Sequence, residues 1–305
     1  MSQQNDRVQS DAIHQLQCLE VWGGSSCADH AASVLGLDIS VSARPVGDSV
    51  EGGDLYLISS CSSGLISRML LADVAGHGES VSDLSSKLRK AMHKSINTID
   101  QSKLARTLNT EFDKISDGSK FATALLMTYY APSGHLIIVN AGHPHPLICR
   151  AGTQDWIPIH IESDGVLSHP TNELKAGIKN LPLGVIGSTQ YEQIAVKIGA
   201  GDRICAFTDA YTEAQSNDGK LLGIDGLSSV LSAVMRSDPD LMEHMLSSAA
   251  MAEILSRGFQ LADDDHTMLT FFHNGQSSPR AGIGAFSNMI RSSLGFGHSD
   301  TLIAG

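Results

Sequence analysis

Two apolar runs, each with an aspartate at its outer end, constrain the fold of this chain most strongly. They span residues 54–61 and 67–73, and a Ser-Ser-Gly cluster between them indicates a turn and therefore a β-hairpin. A turn centred between positions 63 and 64 puts Asp54 directly opposite Asp73, because both lie equally far from it. Two facing carboxylates destabilise a sheet. A divalent cation between them would turn that repulsion into binding energy, since carboxylate oxygens are the ligands that hard cations prefer.

The rest of the chain shows antiparallel strands alternating with pairs of helices. A second hairpin is predicted from 121–130 and 136–141, and further strands from 146–150, 202–208 and 268–273. Apolar residues recur at helical spacing in four other segments, around 84–96, 104–112, 227–234 and 242–255. Strict strand–helix–strand alternation is absent from this pattern. It favours an α+β fold in which helices cover antiparallel sheets.

Further acids stand at the ends of predicted strands. Asp209 follows the strand at 202–208, and the Asp-Asp-Asp run at 263–265 precedes the strand at 268–273. Each of these could simply be a turn residue. Taken together with the Asp54–Asp73 pair, they favour a metal site at one edge of the sheets. Two closely spaced divalent ions are a common means of hydrolysing phosphate esters, because they activate a water and neutralise phosphoryl oxygens. Gly52, Gly53, Gly76 and Gly78 flank the two acids and would let the backbone approach an ion or a phosphate closely.

The charge balance and the cysteines limit the function classes. A formal net charge of −12 argues against nucleic acid or an anionic membrane as the main partner. No charged segment followed by an apolar stretch opens the sequence, so we expect no signal peptide. No apolar run is long enough to span a bilayer. Five cysteines at irregular spacing fit reduced thiols, so we expect a cytoplasmic protein.

Seven short motifs occur in an order that resembles the metal-dependent protein phosphatases (PPM family), in particular their bacterial SpoIIE-like serine/threonine phosphatase branch. The resemblance covers roughly residues 38–273. The motifs are Gly-Gly-Asp (52–54), Asp-Val-Ala-Gly-His-Gly (73–78), Phe-Ala-Thr-Ala (121–124), Asn-Ala-Gly-His-Pro (140–144), Leu-Pro-Leu-Gly (181–184), Thr-Asp (208–209) and Asp-Asp-His-Thr (264–267).

The resemblance implies a four-layer α-β-β-α sandwich with two central antiparallel sheets, flanking helices, and two divalent ions, Mn²⁺ or Mg²⁺, at one end. By motif, Asp73 would bridge both ions and the Val74 carbonyl would be a backbone ligand. Asp209 and Asp264 would complete one ion, and Asp54 would serve the other, directly or through water.

Two positions depart from the pattern of the eukaryotic relatives. Those proteins carry a histidine two residues after the bridging aspartate, where this chain has Ala75 and the nearest histidine is His77. His77 is thus a candidate general acid, with ordering of the loop as its alternative role. The relatives also bind phosphate through an arginine shortly before the first ligand. Arg44 is the nearest arginine here, at a different spacing.

Three other residues resemble metal ligands at first sight. We expect His143 and His145, on either side of Pro144, to shape the chain's exit from a strand through hydrogen bonds. We expect Glu213 to be an acid at the start of a helix, where the helix dipole favours negative charge.

The resemblance also implies the substrate, namely phosphoserine or phosphothreonine in a small bacterial regulatory protein of the anti-sigma-factor-antagonist type. A metallophosphatase of small esters and a partner-sequestering module with phosphatase ancestry are the alternatives. We expect a separate activating or sensor protein to regulate the chain through the helical pair near residues 82–115. The predicted organisation is a lead-in segment (1–37), a phosphatase domain (38–273) and a flexible Gly/Ser-rich tail (274–305).

Overall fold

A computed structural model describes residues 14–277 except 17–19, 48, 62–63, 77–78, 99, 117, 119, 164 and 169–177. His77 and nearly all of the predicted tail therefore lie outside the described residues.

Sixteen strands and four α-helices make up the regular structure of this part of the chain. The helices are α1 (Glu79–Ser95), α2 (Gln101–Ser116), α3 (Gly223–Ser237) and α4 (Leu246–Ser256). Short 3-10 turns occupy Asp209–Tyr211 and Glu243–Met245. The strands are β1 (His14–Gln15), β2 (Val21–Ser26), β3 (Ala28–Val34), β4 (Leu37–Arg44), β5 (Glu51–Cys61), β6 (Ile66–Val74), β7 (Ala122–Tyr130), β8 (His135–Ala141), β9 (Leu147–Cys149), β10 (Trp156–Pro158), β11 (Val166–Ser168), β12 (Gln193–Lys197), β13 (Arg203–Phe207), β14 (Gln215–Ser216), β15 (Phe259–Gln260) and β16 (His266–His273).

Two seven-stranded sheets form the centre of the molecule. Sheet I has the order β11-β12-β8-β7-β6-β5-β2, and sheet II has the order β1-β3-β4-β16-β13-β9-β10. Neighbouring strands run antiparallel except for β1 and β3, which are parallel. The predicted hairpin is β5–β6, and its register does pair Asp54 with Asp73.

Three apolar clusters show how the layers stack. One fills the space between the two sheets, with Ile58 and Met69 of sheet I packed near Ile39 and Phe271 of sheet II. The second lies between sheet I and the pair α1–α2, and the third between sheet II and the pair α3–α4. The order of layers is therefore helices, sheet I, sheet II, helices, which confirms the predicted α-β-β-α sandwich.

The helices form where the apolar spacing predicted them. Leu84, Leu88 and Met92 of α1 recur every four residues and are all buried against sheet I. Leu104 and Leu108 of α2 are fully buried in the same cluster. This spacing places one face of each helix on the sheet and the other in solvent.

The sheets also include residues that precede position 38. β2 pairs with β5 in sheet I, and β3 pairs with β4 in sheet II. The segment that the sequence assigned to a lead-in therefore contributes strands to both sheets. Its small and polar residues, such as those of Ala28–Val34, gave no apolar alternation from which a strand could be recognised.

Candidate metal centre

The hairpin β5–β6 brings two carboxylates together at one end of sheet I. Asp54 of β5 is paired with Asp73 of β6, and Asp73 is paired on its other side with Thr123 of β7. Asp54 is buried, with 5% of its surface exposed, and accepts a 2.8 Å hydrogen bond at Oδ2 from Thr208 Oγ1. Thr208 directly follows β13, so this bond joins the acid of sheet I to the end of a strand of sheet II.

Burial and mutual repulsion raise the pKa values of these acids. The pKa of Asp54 lies well above its usual value, first because of desolvation and then because of the charge on Asp73. Desolvation and repulsion from Asp209, Asp264, Asp265 and Glu213 raise the pKa of Asp73 to about 7. Acids distant in sequence therefore share one electrostatic environment at this end of the sandwich.

Asp209 and Asp264 belong to that environment but reach it from sheet II. Asp209 opens the 3-10 turn that follows β13, and desolvation together with Glu213 and Asp264 raises its pKa to about 6. Asp264 stands two residues before β16 and accepts a 2.8 Å hydrogen bond from the backbone N–H of Asp265. The four carboxylates named from the sequence thus lie at the same end of the two sheets.

Glu213 is not the helix-start acid that the sequence predicted. The next helix, α3, begins only at Gly223, and the Glu213 backbone N–H donates to the carbonyl of Asp209 at 2.7 Å. Its carboxylate contributes to the raised pKa values of Asp73 and Asp209. Glu213 is therefore a fifth acid near the site, because the chain turns back after the 3-10 turn instead of entering a helix.

Asp265 has a different function from its neighbour, and the sequence did not reveal it. Its buried carboxylate accepts hydrogen bonds from the backbone N–H groups of Val46 (2.6 Å) and Gly53, with a longer one from Asp54 (3.4 Å). These bonds attach the start of β5 to the end of sheet II across more than 200 residues. Asp265 thereby fixes the backbone that presents Asp54.

The glycines before Asp54 make room for protein groups. A Cβ at Gly52 would collide with the Asp265 carboxylate, and one at Gly53 would lie 2.9 Å from the Val74 carbonyl oxygen. From the sequence we expected Gly52 and Gly53 to make room for an ion or a phosphate. In the structure, protein groups occupy the space beside both glycines. The Val74 carbonyl lies beside the start of β5, near the Asp54–Asp73 pair.

Two cations lie near this end of the sandwich, and they are held differently. Arg44 forms an ion pair with Asp29 and donates to the carbonyls of Ala28 and Ala43, at 2.9 and 2.8 Å. The ammonium group of Lys120 donates to the Ala75 carbonyl at 3.2 Å and lies against Gly76, whose φ is +106°. Lys120 is therefore beside the loop that follows Asp73 and Val74, whereas Arg44 is engaged with β3.

His143 is buried between hydrogen-bonding neighbours. Its Nδ1 lies 2.8 Å from Thr123 Oγ1, and its backbone N–H and carbonyl bond to the Asn140 side chain at 2.7 and 2.8 Å. Burial lowers the pKa of His143 to about 3. His145 bonds through Nδ1 to the Ile159 carbonyl at 3.1 Å. Both histidines hold the chain as it leaves β8.

The donor set fits hard divalent ions. Carboxylate and carbonyl oxygens are the ligands of Mg²⁺ and Mn²⁺. Asp54, Asp73 and Asp209 form no ion pair with a lysine or arginine in the part of the chain that the structure describes. Among the same residues, no three His, Cys, Asp or Glu side chains stand close enough to form a ready-made metal site. The acids therefore share one end of the sheets as candidate ligands, without forming an assembled site among the described residues.

Comparison with known proteins agrees with the geometry. The model of the family described as Stage II sporulation protein E (SpoIIE) matches residues 67–273. No curated protein matches the chain significantly. None of the helices in the described ranges is long and apolar enough to cross a bilayer.

Solved structures share the fold at low sequence identity. A Mycobacterium tuberculosis structure of RsbU and RsbW domains has a TM-score of 0.64 and 21% identity, over 89% of this chain and 71% of that one. The PP2C phosphatase domain of SpoIIE from Bacillus subtilis, with a fragment of its regulatory domain, has a TM-score of 0.59 and 15% identity, over 79% and 64%. RsbX in complex with magnesium has a TM-score of 0.55 and 12% identity, over 80% and 99%.

Proposed function

Because the chain belongs to the SpoIIE family of serine/threonine phosphatases, we propose that it hydrolyses phosphoserine or phosphothreonine in a small regulatory protein with the help of two divalent metal ions. The observation that carries the proposal is the pairing of Asp54 with Asp73 at the end of the sheets where Asp209 and Asp264 also lie. Four mutually repelling acids cost stability unless cations bind them.

The ligands would be the residues that the motifs indicate. Asp73 would bridge the two ions, and the Val74 carbonyl would be a backbone ligand. Asp209 and Asp264 would complete one ion, and Asp54 would serve the other, directly or through water. When bound, Mn²⁺ or Mg²⁺ lowers the pKa of water and neutralises phosphoryl oxygens. The chain's own contribution is to hold these oxygens at fixed positions, through Thr208 on Asp54 and Asp265 on the backbone before it.

Lys120 would help to position the substrate phosphate. Its ammonium group lies beside the loop after Asp73, and it forms no ion pair with a carboxylate in the described ranges. A lysine there places a positive charge beside the loop that follows Asp73 and Val74, where it would attract a phosphate bound near these residues. Arg44 is less suited to this role because Asp29 and two carbonyls already occupy its guanidinium group.

The structural neighbours support one class of protein substrate. One structural neighbour combines RsbU and RsbW domains, and another is described as part of the bacterial stressosome. The stressosome is described as a modular system adapted to control secondary messenger signalling. We therefore place a phosphorylated antagonist of an anti-sigma factor first among candidate substrates, and a separate activating or sensor protein as its regulator.

The decisive experiment measures Mn²⁺-dependent release of phosphate from a phosphoserine protein and from p-nitrophenyl phosphate. We expect activity on the protein, and a loss of roughly 100-fold or more in Asp73→Asn and Asp209→Asn. Asp113→Asn, on the exposed side of α2, is the matched control and should keep full activity. Unchanged activity in Asp73→Asn would refute the metal centre. Activity on the small ester alone would make the chain a phosphatase of small esters.

A further inference from the structure

The second half of α1 carries an unusual concentration of positive charge. Lys87, Arg89, Lys90 and Lys94 are four of only 21 lysines and arginines in a chain of net charge −12, and they stand within eight positions. His93 lies among them, and no acid interrupts the run. The helix dipole favours cations in the last turn. It explains His93 and Lys94 but not Arg89 and Lys90, which precede that turn.

Four of these residues line one open groove at the side of α1. The groove has a volume of about 300 Å³, and its lining consists of basic side chains from α1 above an apolar floor from β2 and β5. We call it the basic groove. Its lining residues are Val21, Gly23, Leu57, Arg89, Lys90, His93 and Lys94. The size is at the lower end of the range for ligand sites, which is about 300–1,000 Å³.

Among the described residues, no carboxylate is paired with a basic side chain of the basic groove. Within the described ranges, Arg89, Lys90, His93 and Lys94 form no ion pair with a carboxylate, whereas Lys87, outside the groove, pairs with Asp83 at 2.7 Å. Lys94 has only a longer-range attraction for Glu111, whose carboxylate is already bonded to Lys114 at 2.7 Å. The basic groove can therefore attract an anion, although the protein as a whole is acidic.

The shape of the basic groove favours an extended peptide. β2 is the last strand of sheet I, so among the described residues the outer side of its backbone has no partner strand. An extended chain can pair with such an edge, and alternate side chains then point to one face. Acidic side chains on that face would lie near Arg89, Lys90 and Lys94, and apolar ones would meet the partly exposed Val21.

We propose that the basic groove binds an extended acidic segment of a partner protein. This site is separate from the metal centre, because Lys90 lies eleven residues beyond the first residue of α1, or about 16 Å along the helix axis. Binding at the basic groove does not depend on the proposed hydrolysis. It rests on charge, groove shape and the strand edge alone.

Fluorescence anisotropy of a labelled peptide tests the proposal. The probe is a fluorescein-labelled peptide of repeating Glu-Ser-Val-Ser units, which places Glu and Val on the same face of an extended chain. It is titrated with the full chain without metal at low ionic strength. We expect micromolar binding that weakens as salt is raised. The double variant Lys90→Glu/Lys94→Glu should weaken it at least tenfold. Lys103→Glu on α2, with a side chain exposed outside the groove, is the control and should change it less than twofold.

Several outcomes would overturn the proposal. One is that the full chain does not bind the peptide, and another is that the control variant weakens binding as much as the double variant does. A third is that pyrophosphate competes as effectively as unlabelled peptide, because that would show a simple anion site. A peptide with proline at alternate positions should bind at least fivefold more weakly, because proline lacks the N–H needed to pair with β2. Equal binding of that peptide would also contradict the proposed mode. Hydrolysis is not measured, so failure here leaves the metal centre untouched.

Discussion

Asp54 and Asp73 face each other across β5 and β6, and the charge on Asp73 helps to raise the pKa of Asp54. Directly opposed carboxylates are rare in a sheet because they destabilise it. Here the two acids lie at the end of the sandwich where Asp209, Asp264 and Glu213 also act on Asp73. Repulsion among these acids destabilises the folded protein, and a bound divalent ion would remove that destabilisation.

The stability of the metal-free protein should fall as the pH rises. Folded Asp73 and Asp209 have pKa values of about 7 and 6, above those of unfolded aspartate, so the folded state binds their protons more tightly. The stabilisation is fully present below about pH 4 and is lost as the pH rises through 6 to 7. We expect the Tm of Asp73→Asn to exceed that of the wild type at pH 8 by at least about 2–4 °C, and less at pH 5.

Thermal melts with and without Mn²⁺ check this prediction. Mn²⁺ should raise the wild-type Tm at pH 8 and have much less effect on Asp73→Asn, because a bound ligand stabilises the folded state that holds it. Asp113→Asn should behave like the wild type in both conditions. A Tm difference that is the same at pH 5 and pH 8 would show that Asp73 does not titrate in this range.

Thr208 should control metal affinity through Asp54. Thr208→Val removes the hydroxyl that donates to Asp54 and that accepts from the Thr267 backbone N–H at 2.9 Å. We expect Mn²⁺ affinity to drop by about 10–100-fold, the usual cost of losing a group that orients a ligand. Thr208→Ser keeps the hydroxyl and should stay within a few-fold of wild type. Isothermal titration with Mn²⁺ measures both, and equal affinities for the Val and Ser variants would contradict the role.

Gly52 and Asp265 should show strong coupling. Gly52→Ala introduces a Cβ that collides with the Asp265 carboxylate, and Asp265→Ala removes the acceptor of the Val46 and Gly53 N–H groups. Leaving such groups unpaired costs about 1–3 kcal/mol. In the double variant the collision is absent, so urea unfolding should show a loss smaller than the sum of the two single losses.

Gly199→Ala is the control for the glycine substitution. A Cβ at Gly199 meets open space, and we expect its effect on the free energy of unfolding to stay within about 0.5 kcal/mol. Additive losses in the Gly52 and Asp265 variants would mean that the carboxylate does not occupy the space beside Gly52.

Lys120 should affect substrate binding more than the chemical step. We expect Lys120→Met to raise KM for a phosphoserine protein about tenfold and to weaken inhibition by inorganic phosphate, with a smaller change in kcat. Lys120→Arg retains the charge and should recover most of the effect. If Lys120 serves only to bond the Ala75 carbonyl, the Met variant would instead lose stability while KM and phosphate inhibition stay unchanged.

Local pattern was enough to predict much of the architecture. The register of β5 and β6 followed from the symmetry of two apolar runs about one turn, and the buried faces of α1 and α2 followed from spacing every three to four residues. These features depend on neighbours within about twenty positions. The same is true of Asp54 opposite Asp73, which needs only the hairpin.

Tertiary structure alone decided which groups surround that pair. Asp265 bonds the backbone at Gly53, 212 positions away, and the polar strand β3 joins sheet II by pairing with β4. Glu213 comes near the acids because a 3-10 turn, not a helix, follows β13. Such contacts depend on how two sheets stack and where their ends meet. The sequence by itself determined the helices, the hairpin and the paired acids. No periodicity along the chain encodes how the two sheets stack, so only the packing of the layers determined which groups surround the site.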